Sequence, residues 1–328
     1  MQGAWSMKYA FIFPGYGNQF VGMAKEFYDV SRSMQEHFEE AANCLDKNFV
    51  KLCFASSDAD ISQPENAYLS LFLISHSIST ILKEQGIEPS VVAGYDIGEY
   101  AAVATAGGIT LPDAVYLLKK YATLYQEILK ARNYEALRIH RTDAEKIKAL
   151  CAQCASGENV SFISVQEDQE QVIIAGTSES IGCVKAHIQK EQMGVVSAVP
   201  LGGGLHSPLM DEVLKTMRMY LEKVDFKDTT IPFIASVTGQ ALTEGDKVRA
   251  AVMQQIHASL QWKKVVDGCA FCEVLVICGP GDGLVDHLKA AYPDKKVYAI
   301  TTISQMNELL LHADKPLIKK EDQDDSAQ

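Results

Sequence analysis

The sequence predicts an α/β protein built on a mainly parallel sheet, with a second, smaller unit set into it. Two observations carry this expectation. Short apolar runs of strand length alternate with helical periodicity toward both ends of the chain, as in sheets covered by helices on both faces. In the middle the rhythm changes to β-α-β-β-α-β, the order of a ferredoxin-like unit.

Taken in order, Tyr9–Phe13 (YAFIF) is an aromatic and β-branched run ending at Pro14-Gly15, as a buried strand entering a turn does. Leu69–Gln85 has helical periodicity, Ser90–Ala93 is a short apolar strand, and Ile97–Ala106 is a helix of small residues. Asp113–Leu129 reads as another helix with Pro112 near its start. In the middle unit, Ala136–His140 is a strand and Thr142–Ala155 a helix capped by Thr or Asp. Val160–Val165 and Gln171–Ala175 are strands either side of a polar turn, followed by the helix Ser178–Gln192 and the strand Gly194–Val199. Strands at Ile231–Ser236, Cys272–Ile277 and Lys296–Ile300 and a helix at Ser304–Leu311 return to the first rhythm. The expected division is a large domain over 7–129 and 199–312, an insertion over 130–198, and a disordered polar tail over 313–328.

Composition narrows the function. The 328 residues are 47% hydrophobic and 22% charged, the balance of a soluble globular protein. A net charge of −12 argues against a nucleic-acid partner, which needs a basic face. No apolar run reaches membrane-spanning length, so no membrane role is expected. Met1–Ser6 has no signal-peptide pattern, Met7 reads as the natural start, and a cytoplasmic setting is the simplest expectation. Eight cysteines in such a chain are expected as reduced thiols. The pairs Cys151–Cys154 and Cys269–Cys272 are too far apart for a zinc ribbon, so they read as half-buried thiols and no metal is expected.

Ser90-Val-Val-Ala-Gly94-Tyr95-Asp96-Ile97-Gly98 is an apolar strand, a sharp small-residue turn and a helix start. This is the shape of a nucleophile elbow, with Asp96 at its apex and the Ile97 N–H placed to stabilise an oxyanion. The same nine residues also fit a plain strand–helix junction in which Asp96 caps the helix.

Motifs elsewhere favour the elbow. Phe13-Pro-Gly-Tyr-Gly-Asn-Gln19 resembles the FPGQGSQ opening of the malonyl-CoA–acyl carrier protein transacylase (acyltransferase) family, and Gly94-Tyr-Asp-Ile-Gly-Glu-Tyr100 resembles its GHSxGEY elbow. Gln171-Val-Ile-Ile-Ala-Gly176 is similar to QVVISG, Leu205-His-Ser-Pro-Leu-Met210 to FHSPLM, Gln261-Trp262 to VxW and Gly279-Pro-Gly281 to EVGPG. Order and spacing hold from about Met7 to about residue 310. The resemblance implies an α/β-hydrolase-like large domain with a ferredoxin-like small subdomain. It also implies ping-pong acyl transfer from acyl-CoA to the phosphopantetheine of an acyl carrier protein, in fatty-acid or polyketide synthesis, with no cofactor beyond those substrates.

Residue by residue, the resemblance makes His206 the catalytic base and places Asp96 where the family has its nucleophilic serine. Tyr95 replaces the adjacent histidine, and Tyr16 replaces a glutamine whose backbone helps form the oxyanion hole with that of Ile97. Tyr121 falls where an arginine grips the malonyl carboxylate, and Ser236 where an asparagine is usual. Gln63 and Gln19 match family glutamines, while Gly202-Gly203-Gly204 and Leu205 lie in the loop that shapes the acyl pocket. A phenol cannot replace a bidentate guanidinium grip. A carboxylate attacking a thioester gives a mixed anhydride, an uphill step, and its charge opposes the oxyanion. Near a histidine it also favours the imidazolium over the free base. The expectation is loss of standard malonyl transfer with binding of CoA or carrier protein retained. The alternatives are a thioester hydrolase, or a transacylase for an uncharged acyl group, using Asp96 and His206.

Overall fold

The computed structural model describes residues 7–199 and 203–319, so the Met1–Ser6 extension, Gly202 and the last residues of the expected tail lie outside the described residues. Among the described residues the strands are β1 (Tyr9–Phe13), β2 (Pro89–Gly94), β3 (Tyr134–His140), β4 (Ser161–Gln166), β5 (Gln171–Thr177), β6 (Val195–Ala198), β7 (Phe233–Ile234), β8 (Ala241–Leu242), β9 (Leu260–Gln261), β10 (Val274–Cys278) and β11 (Lys296–Ile300). They form a six-stranded sheet in the order β11-β10-β1-β2-β7-β8 and a five-stranded sheet in the order β6-β3-β5-β4-β9.

The first sheet is parallel except at β7–β8, as the alternating rhythm predicts. Its strands bury both faces. Phe11, Phe13, Val92, Val274 and Val276 enter one apolar cluster, while Ala10, Ile12, Val91, Ala93, Leu275 and Ile277 enter another. Successive side chains point to opposite faces, so a strand covered on both sides is apolar throughout. Helices Pro64–Glu84 and Leu111–Ala131 pack on one face. The first starts five residues before its expected start, with Pro64 in the first turn where a missing N–H costs nothing.

The smaller sheet has the ferredoxin-like order for its β-α-β-β-α-β segment, with helices Ala144–Cys154 and Ser178–Lys190 on one face. β9 joins it from the other part of the chain, pairing parallel with β4 through Val165–Leu260 and Gln166–Gln261. After helix Ile303–His312, Asn307 exchanges two hydrogen bonds with Ile318, whose side chain packs on the large core. Residues 313–319 are therefore fastened, because an amide side chain can satisfy both backbone groups of one residue.

The cysteines differ from the expectation. Cys154 is disulfide-bonded to Cys183, 29 residues on, rather than being a free thiol. The helical turn that ends at Cys154 faces the helix carrying Cys183, a proximity that spacing along the chain does not reveal. Cys151, Cys269 and Cys272 are free and buried.

Candidate active site

The C-terminal end of β2 lies beside that of β1, with Phe13 paired to Gly94. The turn after each strand therefore opens at the same edge of the sheet, the usual location of binding sites in parallel sheets. Asp96 stands at the apex of the second turn with φ of 53°, the left-handed conformation that an elbow imposes. The turn is possible because the neighbouring backbones almost touch. A Cβ at Gly94 would lie 2.1 Å from the Glu99 nitrogen, and one at Gly15 would lie 2.5 Å from the Tyr95 carbonyl oxygen.

That approach puts the Tyr16 backbone on Asp96. The Tyr16 N–H donates to Oδ2 at 3.1 Å, while Nε2 of His206 lies 3.0 Å from Oδ1. Both side chains are buried, Asp96 at 2% and His206 at 3% exposure. His206 also has positive φ, 53°, and its Nδ1 lies 2.6 Å from the Gln255 carbonyl oxygen. That carbonyl can only accept, so Nδ1 carries the proton and Nε2 faces Asp96. Ile97 follows directly at the N-cap of helix Gly98–Thr105, where backbone N–H groups have no intrahelical acceptor.

A second buried carboxyl lies beneath. Glu99 accepts from the Ser236 N–H at 2.7 Å. Its pKa is pushed up to about 7, chiefly by burial, with the Ser236 hydrogen bonds and His206 opposing and Asp96 adding to the rise. Ser236 therefore enters the site through its backbone.

Tyrosines close the far side. Tyr68 packs edge-on to Tyr16 at 5.5 Å between ring centroids, and against Tyr121 at 5.6 Å. Tyr68, Tyr100 and Tyr121 are fully buried, and their hydroxyls have no hydrogen-bond partner among the described residues. Burial first, and the Asp96 charge among the further causes, raise the pKa of all three phenols. Gln63 is turned away: it is exposed, and its amide donates to the Ala59 carbonyl oxygen. Gly203 approaches β3 so closely that a Cβ would lie 2.2 Å from the Glu135 nitrogen, and Leu205 lines a cavity of about 20 Å³ with Asp96, His206 and Tyr95. By this measure the cavity has room for about one water.

Tyr95 links the two sheets. It meets Trp262 edge-on at 5.0 Å, and its hydroxyl donates to Oε1 of Glu167 at 3.2 Å. Glu167 is buried and also accepts from Arg138 at 3.0 Å and from Gln171 at 2.6 Å, so donors on three sides hold its charge. Burial and Glu167 push the Tyr95 pKa well up. Tyr95, Glu167 and Arg138 line one wall of a cleft of about 220 Å³ that also reaches Tyr16, Asn18 and His287.

Sequence reasoning missed Gln255, Glu99, Glu167 and Arg138. Gln255 contributes a backbone carbonyl, which no side-chain pattern announces. Arg138 lies on β3 and Glu167 in the turn after β4, with β5 between those strands, so no strand-pair pattern announces their ion pair.

This arrangement can be set beside known proteins. The acyl transferase domain model matches residues 10–267. The chain belongs to that family. It is 28% identical over 302 residues to the malonyl CoA-acyl carrier protein transacylase of Bacillus subtilis (strain 168), covering 90% of this chain and 93% of the relative. The same identity holds over 306 residues with the Escherichia coli K12 malonyl CoA-acyl carrier protein transacylase, over 92% and 96% of the two chains. FabD from Acinetobacter baumannii superposes with a TM-score of 0.88 at 28% identity, over 94% and 98% of the two chains. PlMCAT, a malonyl-transacylase solved with the type II PKS acyl-carrier protein AntF, gives 0.87 at 23% identity over 92% and 99%, a likeness of fold. The α/β fold with two sheets is thus that of an acyl transferase. Among the described residues no helix is long and apolar enough to cross a membrane.

Proposed function

We propose that this acyl transferase binds CoA thioesters and an acyl carrier protein of fatty-acid or polyketide synthesis but does not carry out standard malonyl transfer. The supporting observation is the placement of the Asp96 carboxylate. One oxygen lies where a nucleophile would meet its base, and the other takes the backbone donor of Tyr16. On this reading Tyr16 and Ile97 form the oxyanion hole, and the Asp96 carboxylate occupies it. An attacking carboxylate would have to leave that hydrogen bond and form an anhydride less stable than the thioester consumed. Tyr121, fully buried among other phenols, offers no cation to a malonyl carboxylate.

The relatives supply the substrate class: they are malonyl CoA-acyl carrier protein transacylases, one solved with its carrier protein. The two sheets, divided near residues 130 and 198, would enclose the thioester between them, with Tyr95, Gly203 and Leu205 at its walls. Intact mass after incubation with malonyl-, acetyl- and longer acyl-CoA, with free-CoA release measured alongside, tests the reading. Binding without adduct or release is expected. A covalent acyl adduct on the native chain would overturn it.

One observation favours a second reading. His206 remains oriented by Gln255 with Nε2 on Asp96, a pair able to activate water against a bound thioester. CoA release without an adduct, abolished in Asp96→Asn, would select that hydrolase.

A further inference from the structure

Away from the elbow, the two helices covering the smaller sheet bring three metal-binding side chains together. Cys154 closes helix Ala144–Cys154, and Cys183 and His187 lie four residues apart on helix Ser178–Lys190. Their ligand atoms all lie within 4.8 Å of one another. Nδ1 of His187 is 3.8 Å from the Cys183 sulfur and 3.9 Å from that of Cys154. We propose that Cys154, Cys183 and His187 form a redox-gated site for a soft d¹⁰ cation such as Zn²⁺, open when the disulfide is reduced and abolished when it forms.

The geometry suits such an ion. Zinc bonds of about 2.3 Å to sulfur and about 2.0 Å to nitrogen at tetrahedral angles place a sulfur and a nitrogen about 3.5 Å apart, near the separations already present. The same angles put two sulfurs about 3.8 Å apart, so the bonded pair must separate. Rotation about the two Cα–Cβ bonds provides this, since the Cα atoms are 5.8 Å apart. A spacing of four residues puts Cys183 and His187 on one helix face, the arrangement by which helices present two ligands to one metal. The fourth position would fall to water, because Cys183 and His187 are only partly buried.

The chemistry balances. A dithiol reductant delivers two electrons and two protons to the disulfide, giving two thiols. The cation displaces those protons to bind two thiolates. Nδ1 of His187 also lies 3.1 Å from the Cys183 carbonyl oxygen, the contact of a protonated Nδ1. Ligation shifts that proton to Nε2 and gives the carbonyl to water. An oxidant such as diamide removes two electrons, restores the disulfide and releases the metal. The two helices are thus fastened in either state, covalently or through the ion.

The test is Co²⁺ titration of the full chain, reduced with dithiothreitol and freed of it anaerobically. One Co²⁺ per chain is expected, with a thiolate-to-cobalt charge-transfer band and the visible bands of a tetrahedral ion, and diamide should abolish both. Cys183→Ser and Cys154→Ser should each lose most of the charge-transfer intensity, while His187→Gln should weaken binding and keep the band. Cys151→Ser and Cys44→Ser should titrate like the parent. Reduced parent protein is the folding reference by circular dichroism, since it too lacks the crosslink. Should the serine variants unfold, Zn²⁺ protection of Cys154 and Cys183 from alkylation, mapped by peptide mass, reads the site without substitution. A reduced parent with no thiolate band, a band that survives Cys183→Ser, or one lost in Cys151→Ser would overturn the proposal.

Discussion

Replacing Asp96 with serine tests whether the carboxylate itself blocks acyl transfer. The hydroxyl would take the place of the present Cγ, one bond short of the Oδ1 that lies 3.0 Å from Nε2 of His206. A small approach of the two side chains restores the pair, and the Tyr16 N–H would lose its acceptor 3.1 Å away. Two factors return together. A positioned general base contributes about 10²–10⁴-fold, and one oxyanion donor about 10²–10³-fold. Because such groups act as a unit their factors do not multiply, so the floor is a gain of about 10²-fold in acyl-enzyme formation. Serine accepts positive φ less readily than aspartate, a strain of about 1 kcal/mol that the surrounding glycines do not relieve. The assay is the burst of free CoA with acetyl- and malonyl-CoA, with intact mass locating the acyl group. Malonyl-CoA should show no advantage, since the buried Tyr121 phenol offers none of the charge-assisted hydrogen bonding, worth about 1.5–3 kcal/mol, that a cation gives a carboxylate. A folded Asp96→Ser protein with no burst and no adduct for either substrate would refute the reasoning, and the obstruction would then lie in the tyrosines or the cleft.

Three further outcomes follow from the same geometry. Tyr95→Phe removes one of three donors to Glu167 and should lower unfolding free energy by about 1 kcal/mol, read as a lower denaturant midpoint at unchanged slope. Gly94→Ala places a carbon 2.1 Å from the Glu99 nitrogen and should cost about 3 kcal/mol or more, seen as loss of soluble folded protein; a parent-like melting curve would contradict the tight elbow. Glu99 binds its proton more tightly folded than unfolded, so its contribution to stability is fully present below about pH 4.5 and is lost as pH rises through about 7. A shift from 4.5 to about 7 in this fully buried group corresponds to about 3 kcal/mol. Glu99→Gln should therefore flatten the fall between those values and exceed the parent in stability above pH 7, measured by urea unfolding across pH.

The sheets were legible because strands buried on both faces, such as YAFIF and VLVIC, carry no polar residue to confuse the pattern. β7, β8 and β9 were less so: two-residue strands carry almost no period, and β7 was expected to run six residues from Ile231 to Ser236. At the elbow, glycine spacing announced a close approach of backbones, and the structure places Asp96, His206 and the Tyr16 N–H in contact. Gln63 was drawn in by motif position alone, yet its side chain turns toward Ala59. Gln255 escaped because a carbonyl oxygen belongs to every residue. The Cys154–Cys183 bond escaped because it depends on how two helices face each other, whereas the CxxC spacing pointed along one helix.

The short strand β9 has a consequence for any attempt to take the molecule apart. Residues 134–198 look self-sufficient, with their own helices and core, but the β4 edge of their sheet is covered by Leu260–Gln261 from outside the segment. Expressed alone, that piece would present the hydrogen-bonding edge of β4 to water together with Val165 and Ile173, which now pack beneath Trp262 and Tyr95. An uncovered, apolar strand edge recruits other strands. The excised segment should therefore self-associate in proportion to concentration.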